Sequence, residues 1–269
     1  MGRLIVYGNC QSAALYEVLR RIPAVTQRWE VVHHQLWAKE DVLARNLAEF
    51  DDCEVLLQQD LRDWRTHPRA ATLAAQTKVV RFPFCYFAAL WPFDGHQNGN
   101  DPGWHFGEGE LKFGFTDSLL GKLRALEPDP VIRAARYRAL DVADPVDIAR
   151  YAAFEAARLL RDDQRLGFTL GRFILDNFRS QRMFHAITHP SRALLVRMTE
   201  EILPQLGIDA GPIDTLVLDY LDYFQVPLHP KVIAALGIAW ADDTTTYKFN
   251  RTETLTFDAY VARYIRVYG

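Results

Sequence analysis

The chain has 269 residues, 49% of them hydrophobic and 24% charged, with a formal net charge of −3. That balance describes an ordinary globular protein and excludes a disordered one. It also argues against nucleic acid or an anionic membrane as the main partner, although Arg greatly outnumbers Lys and leaves room for local basic pockets.

Arg3-Leu-Ile-Val-Tyr7 is an apolar run closed by Gly8 and reads as a buried strand. Ser12 to Arg21 follows with helical spacing, so Cys10 is expected on the turn where a first strand hands over to a first helix. Trp29 to His33 reads as a second strand, Lys39 to Phe50 as a helix, Cys53 to Gln58 as a third strand and Lys78 to Phe82 as a fourth. Asp60 to Gln76 reads as a loop with a short helix near Pro68. Strands alternating with helices at these intervals predict βαβ units and a Rossmann-like parallel sheet of about four to five strands with right-handed crossovers. Ligands in such sheets collect beyond the carboxyl ends of the strands, where Cys10, Gln58 or Gln59, and Arg81 or Phe82 would lie.

Phe82 to Gly109 is aromatic and Pro-broken, then Gly-rich. It is either a binding loop or a solvated excursion, and its glycines do not form a nucleotide-binding spacing. Thr116 to Gln164 is mostly helical, with Asp147 to Arg161 the clearest amphipathic stretch. Leu170 to Arg179 continues in helical mode. His189 precedes Pro190 and is pushed toward an extended conformation before a helix starting around Pro190. Ala193 to Leu203, a short segment ending at Leu236, and Phe257 to Tyr268 complete the helices. The expected organisation is a single α/β domain over 1–269. It comprises a sheet core (1–92), a helical elaboration (110–180) and a C-terminal part (181–269) that completes the site.

Three cysteines make neither a disulfide framework nor a zinc spacing, and reduced cytosolic thiols are the simplest reading. The N-terminus lacks the pattern of a signal peptide, and no apolar run has membrane-spanning length, so a cytoplasmic protein is expected. At the start of a helix the free N–H groups favour a thiolate, so Cys10 reads as a nucleophile on a strand–Gly–x–Cys–helix turn. A small core thiol is the ordinary alternative. A catalytic thiol needs an imidazole partner. Of eight histidines, His189 is the best placed and His185 is the runner-up. The H-x-x-x-H spacing of these two is broken by Pro190, so no metal is expected. Oxyanion stabilisation or positioning falls to the N–H groups around Cys10 and Gln11 and to an amide such as Asn9 or Gln59. Cys53 and Cys85 read as core thiols.

These blocks form an ordered set: Gly8-Asn9-Cys10-Gln11, Gln58-Gln59-Asp60, Phe82-Pro83 with Tyr86-Phe87 and Trp91-Pro92, His189-Pro190-Ser191, and Pro227-Leu228-His229-Pro230. The set resembles the WcbI family of polysaccharide-biosynthesis proteins over nearly the whole chain, and at a distance SGNH-type esterases with Cys10 in place of their serine. Ala186 stands where those esterases carry the Asp of a triad.

The WcbI resemblance implies a cytoplasmic acyltransferase that moves an acetyl group from coenzyme A to a sugar hydroxyl of a capsular or surface polysaccharide precursor. Cys10 would either carry the acyl group or merely line a site where His189 deprotonates the sugar directly. Coenzyme A as substrate requires basic groups for its phosphates. Arg81, Arg179, Arg182, Lys248 and Arg251 are the candidates, with Gly8 and His185 beside them. A Cys-dependent thioesterase or deacetylase, and a non-catalytic coenzyme A-binding module, are the alternatives. A homo-oligomer is compatible with the sequence.

Overall fold

A computed structural model describes residues 2–36, 47–61, 73, 76–95, 113, 115–142, 146–249 and 251–268, with 47 and 48 described by backbone only. The elements run β1 (Gly2–Gly8), α1 (Cys10–Leu19), α2 (Pro23–Thr26), β2 (Trp29–Gln35), β3 (Cys53–Gln59) and β4 (Lys78–Phe82). Helices α3 (Ser118–Leu126), α4 (Pro130–Ala139), α5 (Ile148–Leu166) and α6 (Leu170–Asn177) follow. The chain continues through short strands β5 (Phe184–Ala186) and β6 (His189–Pro190) into α7 (Arg192–Gln205) and α8 (Pro230–Leu236). It closes with strands β7 (Tyr247–Lys248) and β8 (Thr254–Leu255) and helix α9 (Phe257–Tyr268).

Two compact units form. The first comprises Met1–Tyr86, Leu159–Ile174 and Thr188–Leu221; the second comprises Phe87–Arg158, Leu175–Ile187 and Asp222–Gly269. The first holds a four-stranded parallel sheet in the order β2-β1-β3-β4. This is the α/β architecture expected from the strand–helix alternation. Leu4, Ile5 and Val6 of β1 and Leu56 and Leu57 of β3 are fully buried. Each such side chain contributes roughly 1.5–3 kcal/mol of burial. Their near-continuous apolar runs are what a strand covered on both faces requires. Helix α1 packs on β1 and β2, while α7 packs against α1, β4 and β6.

The order of the strands fixes where a ligand belongs. From β1 the chain crosses to β2 on one side and β3 on the other, so the sheet reverses direction of growth between β1 and β3. The crevice outside the carboxyl ends of those two strands is the switch point. Gly8 and Gln59 stand there.

The second unit is built on an aromatic core. Phe113 meets Phe249, Tyr260 and Tyr264 edge-on at 4.9–5.0 Å between ring centres. Leu119, Leu120 and Leu123 of α3 and Tyr137 of α4 pack with the same cluster.

Several boundaries differ from expectation. Helix α1 begins at Cys10, two residues early, because Asn9 caps it through its side chain. Helix α7 begins at Arg192 because His189 and Pro190 remain extended as β6. Residues 47–52 form a 3-10 turn where the end of a second helix was expected. The rest of that helix, the helix near Pro68 and the Gly-rich part of the long loop after Gly95 lie outside the described residues.

Candidate active site

The turn after β1 is shaped by contact. Gly8 has φ +156°, and a Cβ there would lie 2.4 Å from Gln59 Oε1 and 2.7 Å from Gln59 Cβ. Only glycine lets β1 close on Gln59 this tightly. The Asn9 N–H then donates to Gln59 Oε1 at 2.9 Å. Asn9 Oδ1 accepts from the Gln11 N–H at 2.9 Å, which caps α1 and places Cys10 as its first residue.

Gln11 is fully buried and fully bonded. Its Oε1 accepts from the Cys85 N–H at 3.0 Å and from Gln59 Nε2 at 3.1 Å. Its Nε2 donates to the Cys85 carbonyl at 2.6 Å and to the Thr188 carbonyl at 2.9 Å. The same Thr188 carbonyl lies 3.9 Å from Cys10 Sγ. Thr188 is followed directly by His189, which is buried in β6, and β6 packs beside α1.

Cys10 is half-buried and free. Burial pushes its thiol up to about 11, although the N–H groups of Gln11 and Cys10 pull the other way. The expected acidic thiol is therefore not what the resting site provides: loss of hydration outweighs the helix start.

On another face of α1, Ser12 Oγ donates to the Asn9 carbonyl at 2.6 Å and meets His33 Nε2 at 2.9 Å. Since the hydroxyl proton is spent on Asn9, Nε2 of His33 carries the hydrogen. Burial lowers His33 to about 4, so it stays neutral. The Tyr16 ring stacks on it at 5.8 Å.

The sequence candidates separate into two groups. Gly8, Asn9, Cys10, Gln11, Gln59 and the segment carrying His189 belong to the first unit, as does Arg81, whose side chain is exposed on β4. Both amide ends of Gln11 and its N–H are committed to the scaffold. Gln11 therefore has no donor left over for an oxyanion. Gln59 Oε1 likewise accepts from the Asn9 N–H, and its Nε2 donates to Gln11 Oε1.

His185, Arg182 and Lys248 belong to the second unit. Arg182 donates to Gln225 Oε1 at 2.6 Å and lies over the rings of Trp240 and Tyr247. Lys248 pairs with Asp222. Arg179 donates to the Leu236 carbonyl at 2.8 Å, and Arg251 is exposed.

His229 is a structural residue. Its Nδ1 accepts from the Lys231 N–H at 3.1 Å, its Nε2 donates to the Tyr137 carbonyl at 3.0 Å, and burial lowers it to about 4. It borders a cavity of the second unit lined by aromatic rings, including Trp91, Tyr137 and Tyr260. His33 was missed in the sequence, where it is one of two adjacent strand histidines with no distinguishing signal.

Residues 3–211 match the family described as polysaccharide biosynthesis enzyme WcbI. The chain belongs to this family. A solved structure of WcbI is described as the native protein without a disulfide bond between coenzyme A and a cysteine. It shares the fold of this WcbI-family chain with a TM-score of 0.73 and 18% identity, over 98% of this chain and 89% of that one. No curated protein matches. The family resemblance drawn from Gly8-Asn9-Cys10-Gln11 and His189-Pro190 is thereby borne out, and with it the assignment to polysaccharide biosynthesis. Among the described residues no helix is long and apolar enough to cross a membrane.

Proposed function

We propose that the protein is a coenzyme A-dependent acyltransferase that delivers an acetyl group to a sugar hydroxyl of a capsular or surface polysaccharide precursor in the cytoplasm. Cys10 is the nucleophile and His189 the base. The observation that supports this pairing is the Thr188 carbonyl, one residue before His189, at 3.9 Å from Cys10 Sγ. Membership of a polysaccharide-biosynthesis enzyme family and the coenzyme A named for the WcbI structure supply the substrate classes.

A thiol held near 11 is ionised in only about one molecule in 10^4 at pH 7, so a base must take its proton during attack. In this reading Cys10 Sγ loses its proton to His189 and attacks the thioester carbonyl. The bond to the coenzyme A sulfur breaks, and the coenzyme leaves as a thiol with that proton. The sugar hydroxyl then attacks the acyl-Cys10 carbonyl while its proton passes to His189, and the Cys10 thiol is regenerated. Basic side chains, with exposed Arg81 of the same unit a candidate, meet the coenzyme's phosphates.

The same raised thiol favours a second reading, in which His189 deprotonates the sugar directly and Cys10 only lines the site. Incubation with acetyl-coenzyme A separates them. The first predicts one acetyl group on Cys10 by intact mass before any sugar is added, and ping-pong kinetics. Turnover unchanged in C10A overturns the nucleophile, and rapid thiol release without sugar identifies a hydrolase instead.

A further inference from the structure

We propose that Gln11 is the positioning residue of this site: its side-chain amide fixes the segment bearing His189 against the thiol of Cys10. The inference rests on the reading that Cys10 and His189 act together.

The bonding partners define the amide uniquely. The Cys85 N–H is only a donor, so the atom facing it is the oxygen. The Thr188 and Cys85 carbonyls are only acceptors, so the atom facing them is the nitrogen. Two donors and two acceptor sites are all that a glutamine amide has, and all four are used inside the fold. Gln11 therefore ties together three segments remote in sequence: the end of β3 through Gln59, the peptide of Cys85 after β4, and Thr188 before β6. It sits one residue after the thiol, so the helix that aims Cys10 also carries the clamp on Thr188.

This arrangement has no adjustable part. The Thr188 carbonyl is shared between Gln11 Nε2 at 2.9 Å and Cys10 Sγ at 3.9 Å, so losing the amide removes the shorter of the two bonds that hold Thr188 beside the sulfur. No other residue type of similar size offers two donors and two acceptors at that reach. Glutamate has the shape but lacks the donors, and would direct a carboxylate at two carbonyl oxygens. Methionine has the length and none of the bonds.

The discriminating experiment uses the full-length protein and two variants, Q11M and Q11E, with two readouts. The first is the single-turnover rate at which Cys10 takes an acetyl group from acetyl-coenzyme A. The second is the pH midpoint of Cys10 alkylation by iodoacetamide. Q11M is expected to slow acetylation about 10–100-fold, the usual effect of ångström-scale misplacement, with little change in the half-saturating acetyl-coenzyme A concentration. Its alkylation midpoint falls from about 11 toward the ordinary thiol value as water reaches the sulfur. Q11E is slow at neutral pH, but its rate relative to wild type rises on acidification, because the introduced carboxyl regains one donor when it takes a proton.

Wild-type acetylation with a wild-type midpoint in Q11M overturns the proposal. So does a Q11E-to-wild-type ratio that stays flat with pH, the mark of a merely structural loss. Should Q11E fail to fold, Q11M decides alone. Should wild-type protein take no acetyl group, the functional reading fails, and the alkylation midpoint of Q11M still decides the positioning claim.

Discussion

Nε2 of His33 lies 2.9 Å from Oγ of Ser12, and this contact ties strand β2 to the thiol-bearing turn. Ser12 passes the bond on to the Asn9 carbonyl at 2.6 Å, so strand β2 supports the residue that caps α1. Replacing His33 by Leu removes the donor while keeping most of the bulk. The expected loss is about 1 kcal/mol in urea unfolding. H33Q, whose amide reaches a similar point, is expected to keep most of it. Equal stability of both variants and the wild type would show that the bond carries no weight.

Acid should weaken the fold through the neutral histidines. Burial holds His33 and His229 down to about 4, against 6.5 for an unconstrained imidazole. Between these limits the unfolded chain binds protons that the folded chain refuses, so stability is intact above pH 6.5 and is lost as pH falls toward 4. Asp117 works in the opposite sense. Burial raises it to about 6, so its contribution is present at low pH and lost as pH climbs from 3.8 to 6. Burial also lowers His34 and raises Asp163, so three histidines stand against two carboxyls, and thermal unfolding is expected to show a net fall on acidification. H33Q should flatten that slope.

Gly8→Ala tests the closeness of β1 to Gln59. The new methyl would meet Gln59 Oε1 at 2.4 Å, with φ at +156°. A cost of about 1–3 kcal/mol is expected from overpacking, seen as a lower melting temperature. Because Asn9 donates to the same oxygen, the displaced amide should also disturb Cys10, measurable as a changed alkylation rate.

Asn9→Ala removes the cap of α1 and should cost about 1 kcal/mol in denaturant unfolding. Asn9→Asp retains an acceptor for the Gln11 N–H and is expected to hold stability. Its added negative charge beside the thiol should move the alkylation midpoint of Cys10 further up.

Much of the architecture was legible because it follows from short-range pattern. Strand β4 and helix α9 have the boundaries expected from alternation and helical spacing, and β1 to β3 extend theirs by no more than two residues. The start of α1 was placed late because apolar periodicity begins at Ala13, whereas the helix begins where Asn9 satisfies its first amides. The site was legible only in its parts. Cys10 and His189 stood out as residue types at element boundaries. What joins their segments is a buried amide linking Gln59, Cys85 and Thr188, and no local pattern encodes that meeting. His33 and His34 were indistinguishable for a related reason. Consecutive strand residues face opposite sides, so one meets Ser12 over α1 and the other meets Glu49 at 2.7 Å.

Strand β1 is bonded along both edges, to β2 and to β3. It shares that place with β3, which is bonded to β1 and β4, and the amide hydrogens of β1 are expected to exchange slowly because they are released only when the sheet itself comes apart. The peptide that carries the sulfur grows directly from that strand. A thiol rooted there keeps its position while exposed segments open and close, and is expected to lose it only when the sheet itself unfolds.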